Sequence, residues 1–368
     1  MLTPEENEMM TRVGPGAPAG EMLRRYWWPV GFSDELASRP VLVRLLGENF
    51  VLFRDGQGRV GCLGQQCAHR LVSLEYGRVE DRGLRCCYHG WLYDVEGRCL
   101  EQPLEPADST FKERIRQPAY RAAEASGLVF AYVGPEPAPP LPRYDLLCKD
   151  SGRFVVGAEE IGCNWLQRVE NVVDEGHVPF LHASDYPGLA FKVPTLDWER
   201  TDYGSVTTMT FADEAEPVRF YFLFPAHNRL GHVYSGEIPS QTIRLRTPID
   251  DGRTAAYWIR WYPSEDRPPT IETVGMKRAE PGVYTRVDDP FWGIASRDQD
   301  RVAMESQGAI CNRTQEHLGS SDRGVIMLRE MVMEAIKTVQ AGGDPIGVVH
   351  GPAASRILEF HATELQRV

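Results

Sequence analysis

The pattern of apolar and polar residues divides the chain into stretches of different secondary structure. From about Val41 the sequence VLVRLLGENFVLFRDGQGRVGCL predicts strands joined by the turn Asp55-Gly56, and the same texture continues to Val133. Residues 204–263 alternate between apolar and polar positions, which is typical of antiparallel strands, with a hairpin turn predicted over residues 248–252. Two separate stretches of β-structure are therefore predicted.

Helices are predicted near both ends and in the middle of the chain. The first begins at Thr3, which forms a capping box with Glu6 around a proline at the first helical position. A second, short helix is predicted over Glu21–Trp28. Residues 154–182 look helical in their second half, and residues 321–340 predict a long helix with one apolar stripe.

A proline-rich stretch marks the clearest domain boundary. Residues 134–144, GPEPAPPLPRY, predict a linker. The chain then consists of a helical N-terminal segment (1–40), a small all-β domain (41–133), the linker, and a second domain (145–368) that combines helices with an antiparallel sheet. The expected fold class is α+β.

Composition and charge exclude several classes of protein. The chain has 368 residues with 40 Lys and Arg against 52 Asp and Glu, so its formal net charge is −12. This charge argues against a nucleic-acid or anionic-membrane partner. No apolar run approaches the roughly 20 residues that span a bilayer, and the acidic start MLTPEENEMM is unlike a signal peptide. A cytoplasmic protein is expected.

Two Cys–His pairs in the all-β stretch have the spacing of a metal site. Cys67-x-His69 is followed, after sixteen residues, by Cys86-x-x-His89. Two thiolates and two imidazoles suit tetrahedral zinc, but they also suit two loops that clasp a [2Fe–2S] cluster. A third reading is that the pairs are unrelated buried side chains. Because Cys86 and Cys87 are adjacent, the spacing must also decide which of them is the ligand.

The motif resembles that of Rieske [2Fe–2S] domains, where Gly and Trp follow the last ligand as Gly90 and Trp91 do here. In that family the thiolates bind one iron and the imidazoles the other. A second arm that began at Cys87 would depart from the family's spacing, so Cys87 is predicted to be a spacer. The cluster ligands implied by the resemblance are Cys67, His69, Cys86 and His89.

A second group of chemically active residues lies in residues 164–182, NWLQRVENVVDEGHVPFLH. His177 and His182 are five positions apart and would point about 140° away from each other on a regular helix. Gly176 and Pro179 indicate a distorted backbone, because proline removes a donor and disturbs the preceding turn. Both imidazoles could then converge. The alternative is a helix with polar histidines at its frayed end.

Beside a Rieske motif, this segment resembles the mononuclear iron motif of Rieske oxygenases. There, two histidines and a carboxylate hold Fe(II) and leave positions open for O2. The resemblance implies that His177 and His182 are ligands. It also assigns Asp174 as the bridging carboxylate and Asn171 as the asparagine of the same motif.

The third iron ligand is expected far downstream, in SRDQDRVAMESQG, residues 296–308. Asp300 matches the family's aspartate best, and Asp298 is the rival. An alternative is that Ser296 and the acidic residues after it only cap a helix and occupy its first turn.

The resemblance extends over nearly the whole chain. MLTPEENEMMTRVGPG, RRYWWPV and NRTQEHLGSSDRGVIMLRE are similar to the oxygenase (alpha) subunits of phthalate-dioxygenase-type ring-hydroxylating enzymes. The family implies an all-β Rieske domain, a helix-grip catalytic domain and a head-to-tail homotrimer. The carboxylate of Asp174 is expected to accept hydrogen bonds from His177 and from His89 of a neighbouring subunit, and so to connect the two metal sites.

The activity implied is that of a terminal oxygenase in aromatic hydrocarbon catabolism. Electrons from NAD(P)H would pass through a separate reductase, because the chain has no G-x-G-x-x-G dinucleotide fingerprint. Ring hydroxylation and oxidative O- or N-demethylation stay open as alternatives. A Rieske electron-transfer protein without oxygenase activity is a different class, but it would not need the second motif.

The expected substrate is an aromatic carboxylate. Arginines on the predicted strands are candidates for binding its carboxylate as bidentate pairs: Arg244, Arg246 and Arg260. Aromatic side chains of the same strands are candidates to line the pocket, although most are expected in the core of the sheet: Phe220, Tyr221, Phe222, Tyr257, Trp258 and Trp261.

Overall fold

The computed structural model describes residues 2–213, 216–234 and 239–360. In this part of the chain, strands form three sheets and six α-helices accompany them. None of the helices in the described ranges combines the length and the apolar character that crossing a membrane requires. Residues 361–368 of the predicted second domain lie outside the described residues.

The N-terminal part is a β-structure preceded by two short helices. Its helices are α1 (Pro4–Thr11) and α2 (Pro18–Leu23). Its strands are β1 (Trp27–Phe32), β2 (Val41–Leu45), β3 (Glu48–Arg54), β4 (Val60–Gly64), β5 (Arg78–Glu80), β6 (Gly83–Arg85), β7 (Leu92–Tyr93), β8 (Cys99–Glu101), β9 (Ala119–Ala125) and β10 (Leu128–Tyr132).

These strands form two antiparallel sheets with different roles. The larger has the order β1-β10-β9-β4-β3-β2, and the smaller has the order β5-β6-β7-β8. The small sheet and the end of β4 carry the two loops that contain the Cys–His pairs. A buried apolar cluster that includes Val51, Leu63, Leu74 and Trp91 packs beneath those loops. The capping box at Thr3 is confirmed, because the Thr3 hydroxyl accepts the Glu6 N–H and the Glu6 carboxylate accepts the Thr3 N–H.

The helix predicted over Glu21–Trp28 is wrong in its second half. Helix α2 ends at Leu23, and Trp27 starts strand β1, in which every residue is buried. Trp27 pairs with Tyr132 and Trp28 with Ala131. Pairing with β10 buries these two large rings in the cores on either side of the sheet, and this tertiary gain outweighs the local helical preference of the segment. Part of the N-terminal segment therefore belongs to the first sheet.

The second domain is built from longer strands and the remaining helices. Its strands are β11 (Arg153–Ile161), β12 (Thr195–Arg200), β13 (Gly204–Thr210), β14 (Val218–Leu223), β15 (His227–Tyr234), β16 (Pro239–Asp250), β17 (Arg253–Tyr262) and β18 (Thr270–Arg278). Its helices are α3 (Trp165–Val173), α4 (Val178–Leu181), α5 (Ser296–Glu305) and α6 (Arg323–Gln340).

The eight strands of the second domain form one sheet in the order β12-β13-β14-β15-β16-β17-β11-β18. Neighbours are antiparallel except β18, which runs parallel to β11. The long pair β16–β17 lies near the centre of the sheet. Because strand side chains alternate between faces, Ile243 and Leu245 of β16 enter the apolar core while Arg244 and Arg246 face a cavity. The predicted antiparallel sheet and α+β class are confirmed.

A buried ion cluster fixes helix α3 against helix α6. Arg313 donates to both carboxylate oxygens of Glu170, at 2.8 and 2.7 Å, and Arg329 donates to Glu170 at 2.7 Å. These two guanidinium groups keep the pKa of Glu170 below its usual value, although burial alone would raise it. The α3 helix also donates the indole N–H of Trp165 to the Met10 carbonyl at 3.1 Å. Helix α3, which leads to His177, is thus fixed from two sides.

Candidate metal centres and substrate cavity

Two loops of matching shape carry the first donor set. One runs from Cys67 to Leu71, and the other runs from Cys86 to Gly90. In each loop the fifth residue donates its N–H to the carbonyl of the cysteine, at 2.9 Å for Leu71 and 3.1 Å for Gly90. Both residues have positive φ, 62° and 73°, which glycine adopts freely and leucine only at a cost. The two cysteines therefore have equivalent places in the fold.

The thiols of Cys67 and Cys86 are buried close together at the base of the loops. Each sulfur accepts the backbone N–H groups of the residues two and three positions after it. The Cys86 thiol donates to Cys67 and lowers its pKa to about 6, and the Tyr93 hydroxyl, 3.2 Å from the sulfur, acts in the same direction. N–H donors directed at sulfur stabilise thiolate, the form that binds iron.

The two histidines of the loops face each other. The ring centroids of His69 and His89 are 4.6 Å apart, and Trp91 stacks on His69 at 4.3 Å. Within the described residues Nδ1 of His89 is buried with no hydrogen-bond partner, which is costly unless a ligand occupies that nitrogen. Cys87, in contrast, is exposed. The donor set and the open nitrogen fit a [2Fe–2S] cluster held by the four predicted residues.

The segment with the second pair of histidines is a broken helix, as the sequence predicts. Helix α3 begins after Asn164, whose side chain accepts the Leu166 N–H at 3.1 Å, and it ends at Val173. A single 3-10 turn follows, and then α4, which has Pro179 in its first turn. The change of direction brings His177 and His182 together, with ring centroids 5.3 Å apart. A regular helix would have separated them.

Helix α5 brings Asp300 to the two imidazoles. Its Oδ1 lies 3.5 Å from Nε2 of His177 and 3.1 Å from Nε2 of His182. Within the described ranges, these three side chains place one donor atom each within 4.8 Å of one another. The rival Asp298 faces elsewhere: it accepts the Thr285 N–H at 2.8 Å and pairs with Arg301 at 3.0 Å. The geometry favours Asp300 as the third ligand.

The other ring nitrogens of the two histidines have fixed acceptors. Nδ1 of His182 lies 2.8 Å from Oε1 of Gln299, a buried residue whose Nε2 donates to the Ile294 carbonyl at 3.4 Å. This arrangement puts the proton of His182 on Nδ1 and leaves the Nε2 lone pair for a metal. Gln299 was not predicted, although its position next to Asp300 in the chain is a signal that could have found it.

The predicted hydrogen bond from His177 to the carboxylate of Asp174 is wrong. Nδ1 of His177 instead contacts the main-chain carbonyl of Asp174. Asp174 is the C-cap of α3 with φ −101° and ψ 71°, so its carbonyl is one of the unpaired acceptors at the helix end and points to the imidazole. The carboxylate accepts the Gly176 N–H, and burial raises its pKa. No other hydrogen bond to this carboxylate is formed by the residues that the structure describes.

Asn171 connects the iron site to the wall of the cavity. Its Nδ2 donates to Asp300 Oδ1 at 3.3 Å, and its Oδ1 accepts from Arg168 Nη1 at 3.3 Å. The predicted residue thus contacts the proposed carboxylate ligand and keeps it oriented. Arg168, which the sequence did not single out, holds the amide in turn.

The charges of the site suit a cation. Burial opposes the charge of His177, but the Asp300 carboxylate outweighs it and raises the pKa of His177 to about 9. Burial likewise opposes ionisation of Asp300, yet its contacts with the two histidines hold its pKa well below the usual value. Two imidazole nitrogens directed at one carboxylate are the donor set of a 2-His-1-carboxylate iron site. The residues therefore fit mononuclear iron.

A cavity of about 400 Å³ opens onto the iron donors, a size within the range of small-molecule sites. Of the predicted lining aromatics, Phe220, Tyr257 and Trp258 reach the cavity wall. Tyr221 and Phe222 belong to the apolar cores. Glu175, another residue that the sequence did not single out, lines the cavity, and burial raises its pKa to about 8. The three predicted arginines all line the cavity.

Comparison with known sequences gives two matching families. The family described as "Rieske [2Fe-2S] domain" matches residues 26–118. The family described as "LigXa C-terminal domain like" matches residues 282–363. The first match contains both Cys–His loops, and the second contains Asp300.

Curated relatives match almost the full chain. The phenoxybenzoate dioxygenase subunit alpha of Ectopseudomonas oleovorans is 37% identical over 92% of this chain and 87% of its own length. The 5,5'-dehydrodivanillate O-demethylase oxygenase subunit of a Sphingobium species is 33% identical over 97% of this chain and 86% of its own.

A solved structure shares the fold. Pseudomonas putida CBB5 NdmA with caffeine superposes with a TM-score of 0.70 at 22% identity, covering 89% of this chain and 94% of that protein. The likeness shows a shared fold over most of this chain.

Proposed function

Because this chain belongs to the Rieske non-heme iron oxygenases, as an oxygenase (alpha) subunit of the phthalate-dioxygenase type, we propose that it oxygenates an aromatic substrate in the cavity beside His177, His182 and Asp300. The chain is an oxidoreductase and the terminal component of its enzyme system. In the proposal these three residues hold mononuclear Fe(II), and Cys67, His69, Cys86 and His89 hold the [2Fe–2S] cluster.

The observation that carries the proposal is the convergence of the three iron donors at the wall of the cavity. Iron bound by two histidines and one carboxylate would supply the chemistry that activates O2, with electrons from the cluster. The protein's own residues fix the donors: Gln299 and the Asp174 carbonyl orient the imidazoles. Asn171 orients Asp300.

The finer parts of the proposal concern assembly and partners. A homotrimer would bring His89 of the partner subunit to the free acceptor positions of the Asp174 carboxylate. Asp174 and Asn171 would then act at the connection between the two metal sites. NAD(P)H would serve through a separate flavin or iron–sulfur reductase, and the enzyme would work in the cytoplasm on aromatic compounds.

The test is a product assay with purified protein, a surrogate reductase, NADH and O2. Benzoates, phthalates and methoxybenzoates form the substrate panel. We expect at least one of them to gain oxygen from 18O2 in a reaction that depends on the reductase. The Asp300→Ala variant should make no product. If wild-type protein with full metal content oxygenated no aromatic of a broader panel, the proposed function would be wrong.

Demethylation is the second candidate, because an O-demethylase subunit is among the similar proteins. The two reactions give different products on the same methoxybenzoate. Demethylation releases formaldehyde and leaves a phenol, whereas ring hydroxylation keeps the methyl group and adds oxygen to the ring. Formaldehyde in stoichiometric amount with NADH consumed would identify this chain as a demethylase.

A further inference from the structure

The cavity beside the iron donors is lined by four carboxyl groups: Glu159, Glu175, Asp185 and Asp300. Three of them have partners in the protein. Asp300 contacts both imidazoles of the iron site, Glu159 approaches a guanidinium group at 3.5 Å, and Asp185 accepts from a serine hydroxyl. Glu175, in contrast, forms no hydrogen bond or ion pair with any residue in the described ranges.

Glu175 is buried and lines the cavity at the same time. It lies on the 3-10 turn between α3 and α4, two residues before His177. Only 7% of its surface is exposed. A buried carboxyl group without a hydrogen-bond partner costs free energy that a bound donor would recover. A ligand group that donates a hydrogen bond would therefore be favoured at this position of the wall.

The charged side chains around Glu175 are already used by other groups. Electrostatic interactions with His177, Asp300 and Arg246 place its carboxyl group near the iron donors. His177 directs its two ring nitrogens to the Asp174 carbonyl and to Asp300. Arg246 donates to an asparagine side chain of strand β15 at 2.7 Å. Neither of these two cationic side chains pairs with Glu175, so its carboxyl group is left for a ligand.

The positive charge of the same cavity limits which donor Glu175 can bind. Four guanidinium groups line the wall: Arg168, Arg244, Arg246 and Arg260. They would repel an ammonium group or another cation that approached the carboxyl group. A hydroxyl group donates a hydrogen bond without adding positive charge. A neutral hydroxyl therefore fits this position better than a cation does.

The other side of the cavity offers flat surfaces to an aromatic ring. Phe220, Tyr257 and Trp258 reach the cavity wall, and Arg260 lies over the face of Trp258, 5.9 Å from the ring centroid. Aromatic and apolar walls with a few polar groups are the usual composition of a small-molecule site, in which the polar groups fix the orientation of the ligand. Glu175 is such a polar group beside the iron donors.

We propose that Glu175 determines substrate specificity by accepting a hydrogen bond from a hydroxyl group on the ring of the substrate. The proposal rests on the proposed function, because it assigns a substituent to the aromatic substrate of that function. A carboxyl oxygen accepts from a hydroxyl whether the carboxyl group is ionised or protonated. The bond would direct the hydroxylated edge of the ring to the side of His177 and Asp300, and so fix which ring positions face the iron site.

Equilibrium binding tests this assignment without turnover. Isothermal titration calorimetry of the metal-loaded protein would compare the isomeric hydroxybenzoates and guaiacol with their methyl ethers. We expect at least one hydroxylated compound to bind more tightly than its ether in wild-type protein. Glu175→Leu should weaken that compound by about threefold to tenfold, the usual value of a neutral hydrogen bond, and should leave the ether nearly unchanged. The preference for the hydroxyl group should then disappear.

Glu159→Leu is the matched control. Glu159 also lines the cavity and carries the same group, but it approaches Arg168 at 3.5 Å. The variant removes the same carboxyl group by the same substitution and should keep the preference for the hydroxylated compound. Because Glu175 is two residues from His177, iron content and cluster absorption are measured for every variant.

Infrared difference spectra detect the hydrogen bond directly and do not need the leucine variant. When the hydroxylated compound binds to wild-type protein, a carboxyl band should shift, and the methyl ether should leave that band in place. Glu175→Gln replaces the carboxyl group by an amide of nearly the same volume, so the shifting band should be absent. A glutamate that only packs in the wall would give the same bands with both ligands.

Four results would overturn the assignment. They are that no hydroxylated compound binds better than its ether, that the preference survives in Glu175→Leu, that Glu159→Leu removes it equally, or that the band shift persists in Glu175→Gln. None of these measurements depends on turnover. If preference and band shift require Glu175 while no aromatic is oxygenated, the hydroxyl site stands and the proposed function fails. If aromatics are oxygenated but the preference survives without Glu175, the proposed function stands and the hydroxyl site fails.

Discussion

The two proposed metal sites are built in opposite ways. The cluster donors lie within residues 67–89, on two loops whose own backbone hydrogen bonds set their shape. The iron donors come from the α3–α4 segment and from α5, far apart in the chain, and the orientation of His182 and Asp300 depends on contacts between these two segments, with Gln299 and Asn171. The cluster site is therefore specified by local spacing, and the iron site by how the second domain packs.

This difference has consequences for substitution. At the cluster, the residues next to the ligands are exposed or only complete the turn of the loop. Substitutions at a ligand and at its neighbour should therefore differ sharply in their effect on the cluster. At the iron site, neighbours such as Asp298, Gln299 and Asp300 each have a separate structural task. Some substitutions there should lower metal binding, and others should lower the stability of the fold.

The largest contrast is expected within the cysteine doublet. Cys86→Ser should abolish the visible Rieske spectrum, because a hydroxyl is a poor replacement for a ligating thiolate that is buried and accepts two N–H groups. Cys87→Ser changes an exposed side chain and should keep the spectrum, with stability within about 0.5 kcal/mol of wild type. Absorption and EPR spectra of the two proteins check this. The opposite result would shift the ligand register by one residue.

The second contrast concerns the two aspartates of α5. Asp300→Ala should lose mononuclear iron and oxygenation while the cluster spectrum persists, because it removes the only carboxylate that both imidazoles face within the described residues. Asp298→Ala should retain the iron but lower the free energy of unfolding by about 3 kcal/mol, since Arg301 loses a buried partner. Metal analysis and urea denaturation separate the two effects. Equal iron loss in both variants would contradict the assignment.

Asp174→Asn tests the connection between the sites. The amide keeps the shape of the carboxylate but loses its charge, and half of it donates where a carboxylate accepts. The His177 contact to the main-chain carbonyl should survive. We expect an intact, reducible cluster and a rate of single-turnover cluster oxidation that falls by orders of magnitude, measured by stopped flow with substrate and O2. Near-wild-type kinetics would exclude the carboxylate from the route.

Gln299→Leu should have a moderate effect. Leucine has nearly the same volume but offers no acceptor to Nδ1 of His182, so the ring loses its fixed tautomer. We expect iron affinity to fall by about tenfold to hundredfold, which is the usual cost of losing such a partner, with the cluster unchanged. Chelator competition measures the affinity. Gln299→Glu keeps an acceptor and should preserve more of it; equal loss in both variants would mean that Gln299 acts only by packing.

The smallest effect is expected at the loop position shared by Leu71 and Gly90. Leu71 has φ 62° and an exposed side chain, so Leu71→Gly should stabilise the protein by about 1 kcal/mol by removing backbone strain. Gly90→Ala should destabilise it, because a Cβ there would lie 3.2 Å from Pro103. Thermal unfolding followed at the cluster absorption measures both. A less stable Leu71→Gly protein would show that the leucine side chain matters.

The features that the sequence predicts are those set by local spacing, and the features that it misses depend on packing between distant segments. The spacing of the Cys–His pairs and the break at Pro179 indicated which residues could come together, because local backbone geometry brings them close, and the family resemblance chose among the alternatives that the spacing left open. The orientation of the Asp174 carboxylate was not predictable, since it depends on how α3 ends. The roles of Gln299, Arg246 and Arg260 could not be predicted, because they depend on contacts between segments that are distant in the chain. The strand at Trp27 was missed because only pairing with β10 explains it.

The metal content of anaerobically purified protein tests the central claim of two different metal sites most directly. Wild-type protein should contain about three irons and about two acid-labile sulfides per chain. Asp300→Ala should contain about two irons and the same sulfide. Stoichiometric zinc without sulfide, or the same iron content in both proteins, would contradict the account.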